Sequence, residues 1–257
     1  MLVVAKKILK YNIREVHFSD YPYDIDGCDV LKFHYCKNKI NAKGFTCQKE
    51  LTSVIDLTQD LDIIWRNMDK NSTRYRIKRA KKEGIKIRIN EGYDQFFQIY
   101  RSFIQKKGIK SLFDVFGVRS TNLETMKKYG KLFVAEYDGE ILVGTIYLKD
   151  NSNLEAWIGA SKRLEVDRVK ASIISDASRL IDWEAIKYAK EKGIKEYDLG
   201  GLWSKEEAET DRTKKGINSF KLSFGGEIVT RYSYQKIYSK ICNLAYNLYN
   251  LKNLGQR

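Results

Sequence analysis

The sequence predicts an α+β fold: mixed, mostly antiparallel sheets flanked by helices, in two consecutive halves of which the first is reduced. Three observations carry this expectation. The second half is patterned strand, strand, strand, long helix, strand, helix, strand. The first half shows a weaker version, with strands near 30–35 and 44–51, then helices, then a strand at 85–89. The chain has one proline, Pro22, and no Gly/Ser-rich linker, so its 257 residues are expected to pack without a hinge. The expected boundaries are 1–108 for the reduced half, 109–235 for the second, and 236–257 for a closing amphipathic helix.

Each element has a local reason. Residues 53–57 read as a short strand, and Thr58 as a helix cap with Asp60 and Asp62 in the first turn. Leu61, Ile64, Trp65 and Met68 recur at helical spacing, and Asn71-Ser72 caps a second helix over 73–83. Gly84 ends that helix. Ile85, Ile87 and Ile89 alternate with polar residues, and 93–107 is helical. Strands at 131–137 and 141–149 flank the hairpin turn Asp138-Gly139. A third strand covers 154–160, a long helix 170–192, a fourth strand 195–199, a helix 217–224 and a last strand 227–234. The tail 235–251 has helical amphipathic spacing, with Tyr238, Ile241, Leu244, Ala245 and Leu248 in one stripe.

Composition narrows the function classes. Hydrophobic residues make up 43% and charged residues 31%, which excludes a disordered chain or a coiled-coil rod. No stretch approaches the ~18 uncharged apolar residues of a membrane span. The first residues show no signal-peptide pattern, because lysines 6, 7 and 10 break the apolar run. Four cysteines without CxxC spacing and two histidines argue against zinc and a disulfide framework, so no metal is expected and the chain reads as cytoplasmic. The formal net charge of +14 attracts polyanions: nucleic acid, anionic lipid or a nucleotide-type substrate. Lysines spread over solvated faces would give the same number.

Three antiparallel strands feeding a helix and then a parallel strand is the order of a GNAT-type N-acyltransferase core, whose splayed central strands open a cleft. Three segments resemble the Fem family, the aminoacyl-tRNA-dependent transferases that build peptidoglycan cross-bridges. The first is Trp65-Arg66-Asn67-Met68 followed by Asn71-Ser72-Thr73-Arg74-Tyr75-Arg76-Ile77-Lys78-Arg79-Ala80. The second is residues 183–193 running into Tyr197-Asp198-Leu199-Gly200-Gly201. The third is Gly216-Ile217-Asn218-Ser219-Phe220-Lys221-Leu222-Ser223-Phe224-Gly225-Gly226. The resemblance implies two GNAT-like halves, an aminoacyl-tRNA co-substrate with no further cofactor, and an amine acceptor. Fem enzymes are usually longer, and the helical hairpin of some members is missing. The acceptor is therefore open among a peptidoglycan precursor, a peptide, a sugar amine and a small metabolite.

Lys221 stands where the resemblance implies a lysine used in catalysis or in placing the donor's terminal nucleotide. A cation there stabilises the oxyanion formed when an amine attacks the ester. From its pattern alone it is a solvent-facing lysine between core aromatics. Asp198 ends a parallel strand, where ligands approach open sheets, and is expected to orient Lys221 or the amine unless it is structural. Arg74, Arg76, Lys78 and Arg79, with Arg168, are the expected phosphate-binding cations; the alternative is a solvated helix face. Arg119 matches by position an arginine for an acceptor anion. Trp157 and Trp203 either line the cleft or pack. Residues 161–171, where an acetyl-CoA enzyme has a glycine-rich phosphate loop, hold no glycine, which argues for a different donor. An acyl-CoA- or carrier-protein-dependent enzyme remains the alternative. A non-catalytic RNA- or membrane-surface-binding module is the alternative from another class, with 234–251 as a peripheral membrane contact.

Overall fold

The computed structural model describes residues 1–8, 10–106, 121–244 and 246. In chain order the strands are β1 (Leu2–Ile8), β2 (Tyr11–His17), β3 (Val30–Cys36), β4 (Thr46–Asp56), β5 (Lys86–Ile89), β6 (Lys131–Tyr137), β7 (Glu140–Lys149), β8 (Asn153–Ser161), β9 (Glu196–Leu202) and β10 (Glu227–Ile237). The α-helices are α1 (Leu61–Asn67), α2 (Tyr75–Lys82), α3 (Tyr93–Lys106), α4 (Leu123–Tyr129), α5 (Arg168–Glu191), α6 (Lys205–Thr210) and α7 (Arg212–Leu222). The fold is α+β, as expected. Packing groups residues 1–50, 108–125 and 230–257 in one compact unit, and 51–107 and 126–229 in another. That the segments 1–108 and 109–235 are related halves is our proposal; packing groups the chain by other boundaries.

The first unit is built on β1, β2, β3 and the later part of β10. The β1–β2 pair is antiparallel, β2–β3 parallel and β3–β10 antiparallel. One face carries Val16, Leu31, Phe33 and Tyr234 in an apolar cluster. The other carries Ile13 and Val30 beside a buried polar stripe of Lys6, Glu15, His17 and Lys32. Lys6 Nζ lies 2.7 Å from Glu15 Oε1. Burial is the main reason that the Lys32 ammonium is pushed down to about 8. His17 and His34 stack at 4.8 Å and 17°. Glu15 and these two histidines bring ligand-type atoms within 4.8 Å of one another. Near-parallel imidazoles direct their lone pairs into separate planes, a poor arrangement for a shared ion.

The second unit has the sheet order β4-β9-β8-β7-β6-β5, with β8–β9 parallel and its other pairs antiparallel. Helix α5 packs its long apolar side on this sheet through Ile174, Leu180, Ile181 and Ile186. Phe96, Ile99 and Tyr100 of α3 build a second cluster with Leu132, Val134 and Ile146.

The structure revises several element boundaries. The strands expected near 44–51 and 53–57 form one strand, β4, with a register shift between Thr52 and Val54. The cap of α1 is Asp60; Thr58 N and Oγ1 instead donate to Asp56 Oδ1 in a turn, at 2.8 and 2.7 Å. The helix expected from 73 begins with a π-turn, Lys70–Arg74, whose cap Asp69 accepts from Ser72 N. Helix α7 starts five residues before 217, at Arg212, and α6 precedes it. Strand β10 runs to Ile237, so the tail is helical only from about residue 240; most of 236–257 lies outside the described residues.

Candidate active site

The sheet of the second unit opens at its centre. Strands β8 and β9 pair at Asn153↔Glu196, Leu154↔Tyr197 and Glu155↔Asp198. Beyond these, β8 follows β7 to Ser161, while β9 follows β4 to Leu202. Lys221, on the last turn of α7, reaches this opening. Its Nζ donates to the Gly201 carbonyl at 2.7 Å, leaving the half-buried ammonium beside the Gly200-Gly201 backbone. Gly200 has φ +82°, and a Cβ there would lie 3.3 Å from that Nζ. The positive φ favours glycine there, and a Cβ would oblige the Lys221 ammonium to shift by a few tenths of an ångström.

The surrounding motif explains why Lys221 is held. Phe224 is 1% exposed in the core and meets Phe220 edge to face at 5.4 Å. Ser223 shares a 2.6 Å hydroxyl hydrogen bond with Thr73, and its carbonyl accepts from Asp69 N at 2.9 Å. Gly225 has φ +76°, and a Cβ there would collide with the Asn67 carbonyl. The segment 220–226 is thus docked on the end of α1 and the π-turn, and it aims Lys221 from a fixed base.

Asp198 Oδ1 accepts from Gly200 N at 2.7 Å, and so fixes the stretch of β9 whose Gly201 carbonyl holds Lys221. Asp182 on α5 is a residue that sequence reasoning missed. Tyr147 and Tyr197 both donate to its Oδ1, at 2.7 and 2.5 Å. Burial pushes this carboxyl up, opposed by the two tyrosines and by the charges of Arg179 and Lys221. Its signal in the sequence was an acid inside the apolar run of a long helix.

Arg179 is the second missed residue. Its guanidinium lies over the Phe220 ring at 4.8 Å. Among the described residues its hydrogen bonds go to Ser175 alone, from Nη1 to the carbonyl and the hydroxyl. Nε is buried without a hydrogen-bond partner. Burial, then Arg76, pushes its pKa down to about 10, still far above neutrality. The charges of Arg179 and Lys221 both favour the ionised form of Asp182, and Asp198 adds a second carboxylate beside the Gly200-Gly201 backbone.

The expected phosphate-binding cations are arranged unequally. Arg76 Nη1 and Arg79 Nε both donate to Asp176, whose side chain is 2% exposed, the former at 2.9 Å. Arg79 also donates to Ser172 Oγ at 2.7 Å. The pair is thus held by one buried carboxylate, whereas the alternative reading of a merely solvated face would leave both arginines without a fixed partner. Arg74 is half-buried, while Lys78 and Arg168 are exposed. Trp203 exchanges backbone hydrogen bonds with the Asn218 side chain, at 3.0 and 2.9 Å, and Lys214 Nζ lies 4.1 Å from its ring centroid. Trp157, on the diverging part of β8, packs on the Phe96 cluster. Arg119 lies outside the described residues.

The glycine-free loop before α5 is held by charge. Lys162 and Lys170 both donate to Glu140, at 2.6 and 2.5 Å, and Glu165 accepts from Ser102. The α5 N-terminus is capped by Asp167, whose Oδ1 accepts from Lys170 N at 2.8 Å. A carboxylate thus occupies the place where a helix N-terminus would meet a pyrophosphate.

Three antiparallel strands, a long helix and a parallel strand thus follow one another in the order expected from the sequence, with a splay between β8 and β9. The FemAB family model matches residues 176–253, a stretch that includes Asp182, Asp198 and Lys221. Over that stretch the chain is similar to the FemAB family. A search of curated protein sequences gives no match. Among solved structures, FemX is similar at 13% identity and TM-score 0.59, over 97% of this chain and 85% of that one. The C-terminal domain of a putative lysylphosphatidylglycerol synthetase from Agrobacterium fabrum is similar at 12% identity and TM-score 0.58, over 98% and 84%. L-PGS from Bacillus licheniformis is similar at 12% and 0.56, over 99% and 86%. At these identities the likenesses establish the fold. No helix among the described residues is long and apolar enough to cross a membrane.

Proposed function

We propose that this protein is a transferase that moves an aminoacyl group from aminoacyl-tRNA to an amine on a peptidoglycan precursor, a peptide or a small metabolite, in the cytoplasm. The observation that carries the proposal is Lys221, fixed on the Gly201 carbonyl at the splay. The neutral amine attacks the ester carbonyl carbon and a C–N bond forms. The C–O bond to the terminal ribose breaks, the ribose oxygen takes a proton, and the amine nitrogen gives one up. Lys221 stabilises the negative charge on the carbonyl oxygen during attack. Arg179 holds an anionic group of donor or acceptor, and Asp198 acts as a positioning residue through Gly200. Arg74, Lys78 and Arg168, with Arg76 and Arg79, contribute the field that draws the RNA backbone. The Asp167 cap favours this donor over acyl-CoA, because its charge opposes a pyrophosphate at the α5 N-terminus.

The test is a donor screen of charged tRNA against acyl-CoA with a panel of amines. Transfer from tRNA is expected, with binding that weakens steeply as salt rises. Tight, salt-insensitive CoA binding without tRNA affinity would overturn the proposal.

A further inference from the structure

Helix α2 is eight residues long, and its outward face is not uniformly charged. Tyr75, Lys78, Arg79 and Lys82 stand at i, i+3, i+4 and i+7, one continuous stripe. Ile77 and Ala80 on the opposite side are fully buried. Tyr75 is 56% exposed, an unusual place for a large ring on a basic helix. The Arg79 guanidinium lies 5.8 Å from its centroid and is itself fixed by Asp176 and Ser172. Lys78 and Lys82 follow about one and two turns further along the same stripe and are exposed. The stripe therefore offers one flat aromatic face on a rigid support, with cations continuing from it along the helix.

We infer that this stripe binds unpaired nucleotides of RNA, with one base stacked on Tyr75 and the adjoining phosphates on Lys78 and Lys82. The inference rests on the tRNA reading above and adds to it that this helix recognises a single-stranded part. Charge complementarity selects a polyanion. The exposed ring selects one with accessible base faces, because every base stacks on an aromatic side chain whatever its sequence. A duplex presents phosphates alone and leaves the ring unused.

The experiment uses fluorescence anisotropy on the full chain with an RNA hairpin bearing an unpaired 3′ tail and with the same hairpin blunt-ended. Phosphatidylglycerol vesicles form a third arm. The native chain is expected to prefer the tailed hairpin. Tyr75→Ala should weaken that binding by about ten-fold or more, down to the blunt level, while Tyr75→Phe stays within about twofold. Tyr75→Leu keeps an apolar side chain without a flat face and should behave like Ala, which guards against loss of fold. Lys78→Ala with Lys82→Ala should weaken both hairpins alike and reduce the salt slope by about one per lysine. If Tyr75→Leu and Tyr75→Ala bind the tailed hairpin as the native chain does, the inference falls and the tRNA reading stands. If the native chain binds neither hairpin, both fall. If the tyrosine variants lose vesicle binding but keep RNA binding, the stripe is a membrane surface and the inference falls.

Discussion

The two units bury charge in different ways. In the first, Lys6, Glu15 and Lys32 come from neighbouring strands and are 7%, 0% and 6% exposed. These charges are answered from strand to strand, inside the sheet. In the second, two buried acids, Asp176 and Asp182, come from one helix and are answered from elsewhere: two arginines of α2 for the former, two tyrosines of β7 and β9 for the latter. Arg76 and Arg79 keep about a third of their side chains exposed, at 33% and 32%. A cation held at its root and open at its tip is oriented but still available to a ligand. Buried charge thus stiffens the first unit and arms the second.

Breaking the second arrangement should have the larger effects. Lys221→Ala is expected to cut turnover by about two to three orders of magnitude with little change in melting temperature, as single-turnover assays with a charged donor would show. Lys221→Arg should recover only part of this, because a planar fork does not replace a compact ammonium. Replacing Arg76 and Arg79 together by Ala strands the buried carboxylate of Asp176 and should cost about 3 kcal/mol in urea denaturation. A pair lying on a merely solvated face would cost almost nothing. Gly200→Ala forces a side chain into a left-handed backbone beside Lys221. It should cost about 1–2 kcal/mol of stability and lower turnover further than that loss explains.

The first unit sharpens the comparison through pH. Lys32 has a folded-state pKa of about 8, below its ordinary value of 10.5. Between those values the unfolded chain binds more protons, so this group's contribution makes stability rise as pH rises. Lys32→Met should remove that rise, so the difference between the two chains' unfolding free energies should change between about pH 8 and 10.5 and become constant above it. Denaturation curves recorded from pH 7 to 11 give the comparison directly.

How far the sequence could be read follows the same division. Strand β6 has the expected boundaries, 131–137, because its signals, an apolar run ended by the Asp138-Gly139 turn, are local. Strands β1 and β2 escaped notice for a physical reason. Their buried side carries Lys6, Glu15 and His17 among the valines and isoleucines, so the apolar alternation that marks a strand is broken by its own core. At the candidate site, Lys221 stood out through the Fem resemblance and not through its pattern. Asp198 was read as a strand end, but β9 runs on to Leu202 and only its pairing with β8 stops at Asp198; its bond to Gly200 has no signal in the sequence. Asp176, Asp182 and Arg179 look like ordinary helical polar residues. Arg79 meets Asp176 across 97 positions of chain, a separation that no local periodicity encodes.

The π-turn Lys70–Arg74 sets the phase of everything after it. An α-helix advances about 100° per residue, so one residue removed or added there would rotate the α2 stripe by that amount relative to the core. Ile77 and Ala80 would leave their pocket, and Arg76 and Arg79 would swing away from Asp176. Lys70 and Asn71 are exposed, so their identities can drift. The number of residues between Asp69 and Tyr75 cannot. Among divergent relatives of this chain, segment length here should be the slower clock than side-chain composition.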